Sequence, residues 1–281
     1  MKQRIITAIV AICVLIPVLI FADTVLLPIC VALCAVLSVF EMLACMGLKK
    51  EIAVSAPFYL AAAAFPFLIR YMKDQATVRA LVFAAIAVSL LYLFGALIFS
   101  HGKYRIDQIG GAFFSILYIL IGFNGLLVVH DWVDGGGYLY LIAFLGAWVT
   151  DSFAYFCGIL FGKGGKHKLI PDVSPKKTVE GAIGGTVFCI LAMLLFGFIV
   201  ERVDATMQAN YLIFAVAGLF VAVVAQIGDL AMSVIKRTFG IKDYGKIFPG
   251  HGGMLDRFDS VIAVSVVLTV FTSFFNFFHL N

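Results

Sequence analysis

Charged residues are scarce in this chain of 281 residues, since Asp, Glu, Lys and Arg together make up 13% of it. An ordinary soluble domain has about 25% charged and about 45–50% apolar residues, whereas 63% of this chain is hydrophobic. These shares exclude a soluble globular enzyme, a disordered chain and a coiled coil. The six cysteines lie in apolar blocks and form no CxxC pair with polar flanks, so we expect small buried side chains and neither a disulfide framework nor a metal site.

Long apolar blocks are what the chain has instead. A helix of about 20 residues crosses the bilayer core of about 30 Å, so each such block predicts one membrane span. A β-barrel would show short alternating segments. The fold class is therefore an all-α, polytopic integral membrane helical bundle. Its nine predicted spans are about 5–22, 24–47, 53–72, 80–99, 110–130, 138–161, 179–200, 210–235 and 258–279.

The basic residues predict how the bundle lies in the membrane. Of the 20 Lys and Arg, 16 lie in the N-terminus and in alternate loops, and such residues concentrate on the cytoplasmic side. We therefore expect a cytoplasmic N-terminus and an outer C-terminus. Lys2 and Arg4 before an apolar block could also mark a signal peptide, but the eight following blocks favour a retained span. The chain shows no targeting extension, so we expect a multi-pass protein of the cell's inner (plasma) membrane.

Polar chemistry is distributed unevenly along what we predict to be a single membrane domain, 1–281. Residues 1–100 are hydrophobic spans, in which Glu41 is the exception, and residues 101–281 form the predicted catalytic half. Asp151 lies inside a span, where an ionised side chain is costly unless it is paired or hydrated. It therefore marks a functional site, or a carboxylate that merely pairs with a nearby lysine.

Five lysines follow between residues 163 and 177, and they predict a positive inner surface. That surface could serve only topology and anionic lipids, or it could bind phosphate. Ser174, Thr178 and Glu180 resemble a helix start, because Ser or Thr caps a helix and a carboxylate suits its first turn. A helix N-terminus beside lysines is also a ready phosphate site.

A second polar cluster spans 226–259. Asp229, Ser233 and Lys236 or Arg237 recur at helical spacing along one stripe, and Asp256 and Asp259 lie one turn apart at the start of the last span. A glycine-rich loop between them cannot be helical, so we expect a hairpin whose two helix ends present carboxylates toward each other. His251 in that loop contacts phosphate or fills a turn.

Carboxylates among Lys and Arg are typical of polyphosphate chemistry. Mg²⁺ takes one or two protein carboxylates and completes its shell with water and substrate phosphates, while Lys and Arg offset the remaining charge. Positioning, metal and positive charge carry most of the rate in phosphoryl and nucleotidyl transfer. The motif GxxxxGK[ST] is absent, which excludes a P-loop enzyme. The pattern predicts a metal-assisted transferase at the inner membrane surface.

Two motifs resemble a known family. The run from Ser233 to Asp259 is S-x-x-K-R-x4-K-D-x-G-x3-P-G-H-G-G-x-x-D-R-x-D, which closely resembles the signature of phosphatidate cytidylyltransferases, or CDP-diacylglycerol synthases. The stretches D-S-x-A-Y-x-x-G from Asp151 and S-P-K-K-T-x-E-G-x-x-G-G from Ser174 are similar to a second block of that family. The motifs cover most of 148–259, and the N-terminal spans match only in character.

The resemblance implies the reaction of CTP with phosphatidate to give CDP-diacylglycerol and diphosphate, within phospholipid biosynthesis. It implies Mg²⁺, a second cation that is K⁺ or Mg²⁺, and a homodimer whose partners are these substrates and the bilayer, not nucleic acid. The metal-binding carboxylates implied by the motif are Asp229 and Asp256, and we expect Asp259 or Asp151 to be a further carboxylate of the site. We expect these side chains to contact the phosphates, CTP or the lipid head group: Lys236, Arg237, Arg257, His251, Ser174, Lys176 and Lys177.

Two other classes fit parts of the pattern. A secondary transporter of an anionic substrate has interrupted helices and midplane charges, but it would often show paired repeats, and here the first half has no counterpart of the polar clusters. A CDP-alcohol phosphatidyltransferase would carry a D-G-x2-A-R-type motif, which is absent.

Overall fold

A computed structural model of the chain describes residues 10, 13–162 and 167–280. Residues 5–9, 11 and 12 of the first predicted span, 5–22, fall outside these residues, and 13–20 are helical. Lys2, Arg4 and the loop residues 163–166 also lie outside the described part.

Eight helices of the described chain are long and apolar enough to cross a membrane. They confirm the eight predicted spans from 24–47 onward. An apolar segment that crosses lipid forms a helix because a helix satisfies all of its backbone hydrogen bonds within the segment. One span is interrupted after a short first turn. The helices are α1 Leu26–Cys45, α2 Ile52–Tyr71, α3 Gln75–Phe99, α4 Ile106–Trp132, the short α5 Gly136–Leu139 with α6 Leu141–Phe161, α7 Val179–Val203, α8 Tyr211–Thr238 and α9 Leu255–Phe274.

The chain divides into two compact units. The first comprises Met1–Leu127 with Phe239–Arg257, and the second comprises Val128–Thr238 with Phe258–Asn281. The first unit therefore includes the loop between α8 and α9, which carries most of the motif from Ser233 to Asp259. The predicted single domain stays a prediction.

In the first unit, α1 packs on α2 and α2 on α3. Glu51, just before α2, accepts hydrogen bonds from Lys103 Nζ at 2.5 Å and from Tyr104 Oη at 2.7 Å. The lysine and tyrosine hydrogen bonds hold the pKa of the Glu51 carboxyl below its usual value. These contacts join the α1–α2 and α3–α4 loops, as expected for two loops predicted to lie on the same side of the membrane.

In the second unit, α7 packs closely on α6 and α8. Gly185 of α7 permits this approach, because a Cβ atom there would lie 2.7 Å from the carbonyl oxygen of Thr150 in α6. Small residues commonly let membrane helices come this near. The amide of Gln226 in α8 donates to Ala182 O and Thr186 Oγ1 of α7, which ties the same helices with polar contacts.

Four short strands within the described residues were not predicted. β1 (Lys168–Ile170) pairs with β2 (Ser174–Thr178), and β3 (Met207–Ala209) pairs with β4 (Phe278–Leu280), both antiparallel. The prediction of helix through 279 is wrong, because α9 ends at Phe274 and the chain end satisfies its backbone groups on β3. The β3–β4 pair holds the chain end beside the α7–α8 loop, in agreement with the predicted placement of both on one side.

Candidate active site

The basic hairpin leads directly into helix α7. Thr178 Oγ1 accepts a hydrogen bond from Gly181 N at 3.1 Å, so Thr178 caps the helix as predicted, whereas Ser174 lies in strand β2 and not at the cap. Glu180 in the first helical turn lies 2.5 Å from Nδ1 of His167, which holds the start of the hairpin against α7. Of the two predicted substrate-binding lysines on β2, Lys176 is exposed and Lys177 is half-buried.

Lys177 reaches the predicted metal-binding carboxylate of α8. Its Nζ lies 2.5 Å from Asp229 Oδ2, and 22% and 28% of the two side chains remain exposed. Ser233 Oγ, one turn along α8, donates to Asp229 Oδ1 at 3.5 Å, which confirms the predicted stripe. A lysine of the motif from Ser174 and a carboxylate of the polar cluster 226–259, which were predicted separately, thus meet in one ion pair.

Two further carboxylates of the second unit lie near this pair. Asp151 Oδ2 of α6 accepts a hydrogen bond from Ser260 Oγ of α9 at 3.1 Å, and Asp259 Oδ1 accepts one from Ser260 N at 2.8 Å. Asp259 lies within electrostatic range of Asp229, Asp151 and the buried Lys236. Arg237, next to Lys236, is exposed. The second unit therefore gathers three predicted acidic residues from three helices beside two lysines.

Asp256 lies in the first unit, where it organises the loop before α9. Its Oδ2 accepts hydrogen bonds from Tyr244 N at 2.8 Å and Gly253 N at 2.9 Å. The carboxyl is mostly buried, with 8% of the residue exposed. Arg257, the next residue along the helix, is exposed. Asp256 thus holds two points of the loop nine residues apart.

His251 lies at the tip of that loop in a tight turn. Its N–H donates to Phe248 O, and Phe248 N donates to Gly252 O, both at 2.9 Å. His251 therefore lies in a turn, which is one of the two alternatives given for it. The imidazole Nδ1 is buried and finds no hydrogen-bond partner among the described residues, so contact with phosphate stays a prediction.

The residue types fit a hard divalent cation. No three His, Cys, Asp or Glu side chains of the described chain are arranged to hold a metal ion by themselves. Mg²⁺ needs only one or two carboxylates when substrate phosphates and water complete its shell, and Asp229, Asp256 and Asp259 offer oxygen ligands of that kind. That Asp229 and Asp256 share one ion stays a prediction.

Sequence reasoning missed two participants. Ser260, which contacts both Asp151 and Asp259, gave no signal, because a serine in a span is ordinary. Glu41 gave a signal that was left without a role. Its side chain binds the loop of the first unit, with Oε1 accepting from Met254 N and Oε2 from Leu255 N, each at 2.9 Å.

Comparison with known proteins identifies the family to which the chain belongs. Residues 2–275 match the profile of the "Cytidylyltransferase family". Phosphatidate cytidylyltransferase of Staphylococcus haemolyticus is 34% identical over 270 residues, 96% of this chain and 98% of the relative. The enzyme of the same name from Staphylococcus aureus strain COL is 35% identical over 274 residues, 96% of this chain and 98% of the relative. This chain, with its eight described membrane helices and paired acidic and basic motifs, belongs to the cytidylyltransferase family.

Proposed function

We propose that this protein is a CTP:phosphatidate cytidylyltransferase, which makes CDP-diacylglycerol and diphosphate. The observation that carries the proposal is an ion pair, in which Lys177 of the motif from Ser174 lies 2.5 Å from Asp229, four residues before the motif from Ser233. In the proposal this ion pair joins a lysine that would bind phosphate and a carboxylate that would bind metal. Relatives named phosphatidate cytidylyltransferase, aligned over 96% of the chain, support the choice of substrates.

The reaction needs positioning and positive charge more than it needs a base. An oxygen of the phosphatidate phosphate forms a bond to the α-phosphorus of CTP, the bond from that phosphorus to the β-phosphate oxygen breaks, and diphosphate leaves. A phosphomonoester has its second pKa near 6, so the attacking oxygen is already largely ionised at neutral pH. A general base therefore adds little, which fits a site rich in lysine and poor in histidine.

Each charged residue has a role in this proposal. Asp229 and Asp256 would hold Mg²⁺, which would neutralise phosphate charge, and Asp259 or Asp151 would support this ion through its surroundings or bind a second cation, K⁺ or Mg²⁺. Lys177 leaves Asp229 to contact phosphate when the triphosphate enters. The remaining substrate contacts come from Lys236, Arg237, Arg257, His251, Ser174 and Lys176.

The site faces the cytoplasm in this proposal, and the protein works as a homodimer in the inner membrane. CTP is a cytosolic nucleotide, while phosphatidate lies in the bilayer, so the reaction needs the inner membrane surface. The excess of Lys and Arg in the loops that carry both motifs supports that orientation.

Product analysis of the purified protein tests the proposal. Detergent-solubilised protein is given CTP labelled at the α-phosphate, phosphatidate and Mg²⁺, and we expect a labelled CDP-lipid with an equal amount of diphosphate. Asp229→Asn abolishes the product, whereas Asp134→Asn, an exposed carboxylate outside both motifs, leaves it unchanged. No CDP-lipid from the wild type contradicts the function and returns the transporter and phosphatidyltransferase alternatives. Substantial activity in Asp229→Asn removes Asp229 from the site.

A further inference from the structure

Glu41 is a carboxylate in an unusual place. It lies in α1 four residues before the end of the helix, about 6 Å along the axis, and only 2% of it is exposed. An acidic side chain inside a span is costly unless its oxygens are satisfied. Hydrogen bonds to specific partners must therefore offset the cost of placing this carboxylate in an otherwise apolar helix.

The partners are the backbone amides of Met254, just before α9, and of Leu255, its first residue. Glu41 Oε1 accepts from Met254 N and Oε2 from Leu255 N, both at 2.9 Å. The first N–H groups of a helix have no partner within the helix, and a negative charge there is favoured by the helix dipole. Glu41 thus caps α9 from a helix more than 200 residues earlier in the chain.

The loop is shaped to receive this carboxylate. A Cβ atom at Gly253 or at Gly245 would overlap Glu41 Oε1, so glycine is required at both positions while Glu41 keeps its place. Asp256, one residue after the second capped amide, holds the other side of the loop through Tyr244 N and Gly253 N. The loop is therefore fixed between two carboxylates, one from α1 and one from α9.

We propose that Glu41 is a positioning residue, which fixes the first turn of α9 and with it the carboxylate of Asp256. This rests on the proposed function, in which Asp256 binds Mg²⁺. Glu41 does not touch substrate or metal in the proposal. It acts through the backbone of Met254 and Leu255, so its loss moves Asp256 while leaving the charge of Asp256 unchanged.

Two measurements on Glu41→Gln separate positioning from general stability. The first is amide hydrogen exchange of the peptide that contains Met254 and Leu255, with a peptide from the middle of α7 as reference. A glutamine offers one oxygen in place of two, so we expect exchange about tenfold faster in the loop peptide and unchanged in α7. The second is the Mg²⁺ concentration for half-maximal rate, which we expect to rise at least about threefold, with kcat about tenfold lower. A smaller folded fraction would lower the rate without moving that concentration.

Glu51→Gln is the matched control, because it makes the same chemical change at a carboxylate of the same unit that binds Lys103 and lies outside both motifs. It leaves loop exchange and the Mg²⁺ requirement at the wild-type values. Unchanged exchange and an unchanged Mg²⁺ requirement in Glu41→Gln overturn the proposal.

If Glu41→Gln cannot be recovered folded, Gly253→Ala tests the same contact from the loop side, with the same two expected shifts and the same overturning result. The two proposals fail separately. A wild type that makes no CDP-lipid defeats the proposed function, while the exchange measurement still decides whether Glu41 fixes the loop.

Discussion

Removal of the Lys177 charge tests most directly the role of the ion pair between Lys177 and Asp229. The ammonium lies 2.5 Å from Asp229, and less than a third of either side chain is exposed, so water screens the pair only in part. A charge-assisted hydrogen bond is worth about 1.5–3 kcal/mol. If Lys177 makes such a bond to a phosphate of CTP in the transition state, Lys177→Met lowers kcat/KM for CTP by about 10- to 150-fold.

The same substitution has a second expected effect of opposite sign. In the proposed function Lys177 competes with Mg²⁺ for Asp229, so we expect Lys177→Met to lower the Mg²⁺ concentration for half-maximal rate even as kcat/KM for CTP falls. Initial rates in detergent micelles containing phosphatidate, with CTP and Mg²⁺ varied separately, measure both quantities. Lys177→Arg, which keeps the charge, retains more activity than Lys177→Met.

Lys168→Met is the control for this series. Lys168 is an exposed lysine of the same hairpin, on strand β1, where it lies opposite Thr178 of β2. We expect it to stay within about twofold of the wild type, because an exposed charge contributes little. The reasoning is refuted if Lys177→Met behaves like this control in both measurements.

Three further predictions concern stability and topology. The Lys103 ammonium and the Tyr104 phenol donate to Glu51 and lower the pKa of its carboxyl. The stabilisation from these contacts is therefore present above the usual pKa of 4.5 and is lost as the pH falls through the lower pKa of the folded protein. Melting temperatures in detergent should differ between wild type and Glu51→Gln at pH 7 and converge in acid. Gly185→Ala forces a methyl group against the neighbouring helix and should cost about 1–3 kcal/mol, seen as a lower melting temperature, whereas Gly137→Ala, with open space around it, should not. In a cysteine-free background, a membrane-impermeant maleimide applied outside intact cells should label His279→Cys and not Lys242→Cys, and the reverse pattern would contradict the predicted orientation.

The spans were predictable because the requirement for them is local. A segment that enters lipid must be apolar for about 20 residues, and this is visible in any single window of the chain. The same holds for the cap of α7, because Thr178 and Gly181 are three residues apart. The β3–β4 pair was not visible, since three residues of each strand carry no periodic signal and Phe278 continues an apolar run into the chain end.

Four carboxylates of the candidate site could be singled out from the sequence, but their partners could not. Asp151, Asp229, Asp256 and Asp259 are each conspicuous as a carboxylate in or beside an apolar helix. Nothing in the sequence indicates that one oxygen of Asp256 accepts hydrogen bonds from two backbone amides of the loop before α9.

The sequence by itself determined that this chain forms membrane helices, and its motifs indicated which residue types we propose to meet phosphate and metal. Only the tertiary structure decided that Lys177 pairs with Asp229 and that Glu41 caps α9 across 213 and 214 positions of the chain. The reason is physical. Hydropathy is a property of consecutive residues, whereas the partner of a buried carboxylate is whichever amide or ammonium group the packing of distant helices brings within hydrogen-bond reach.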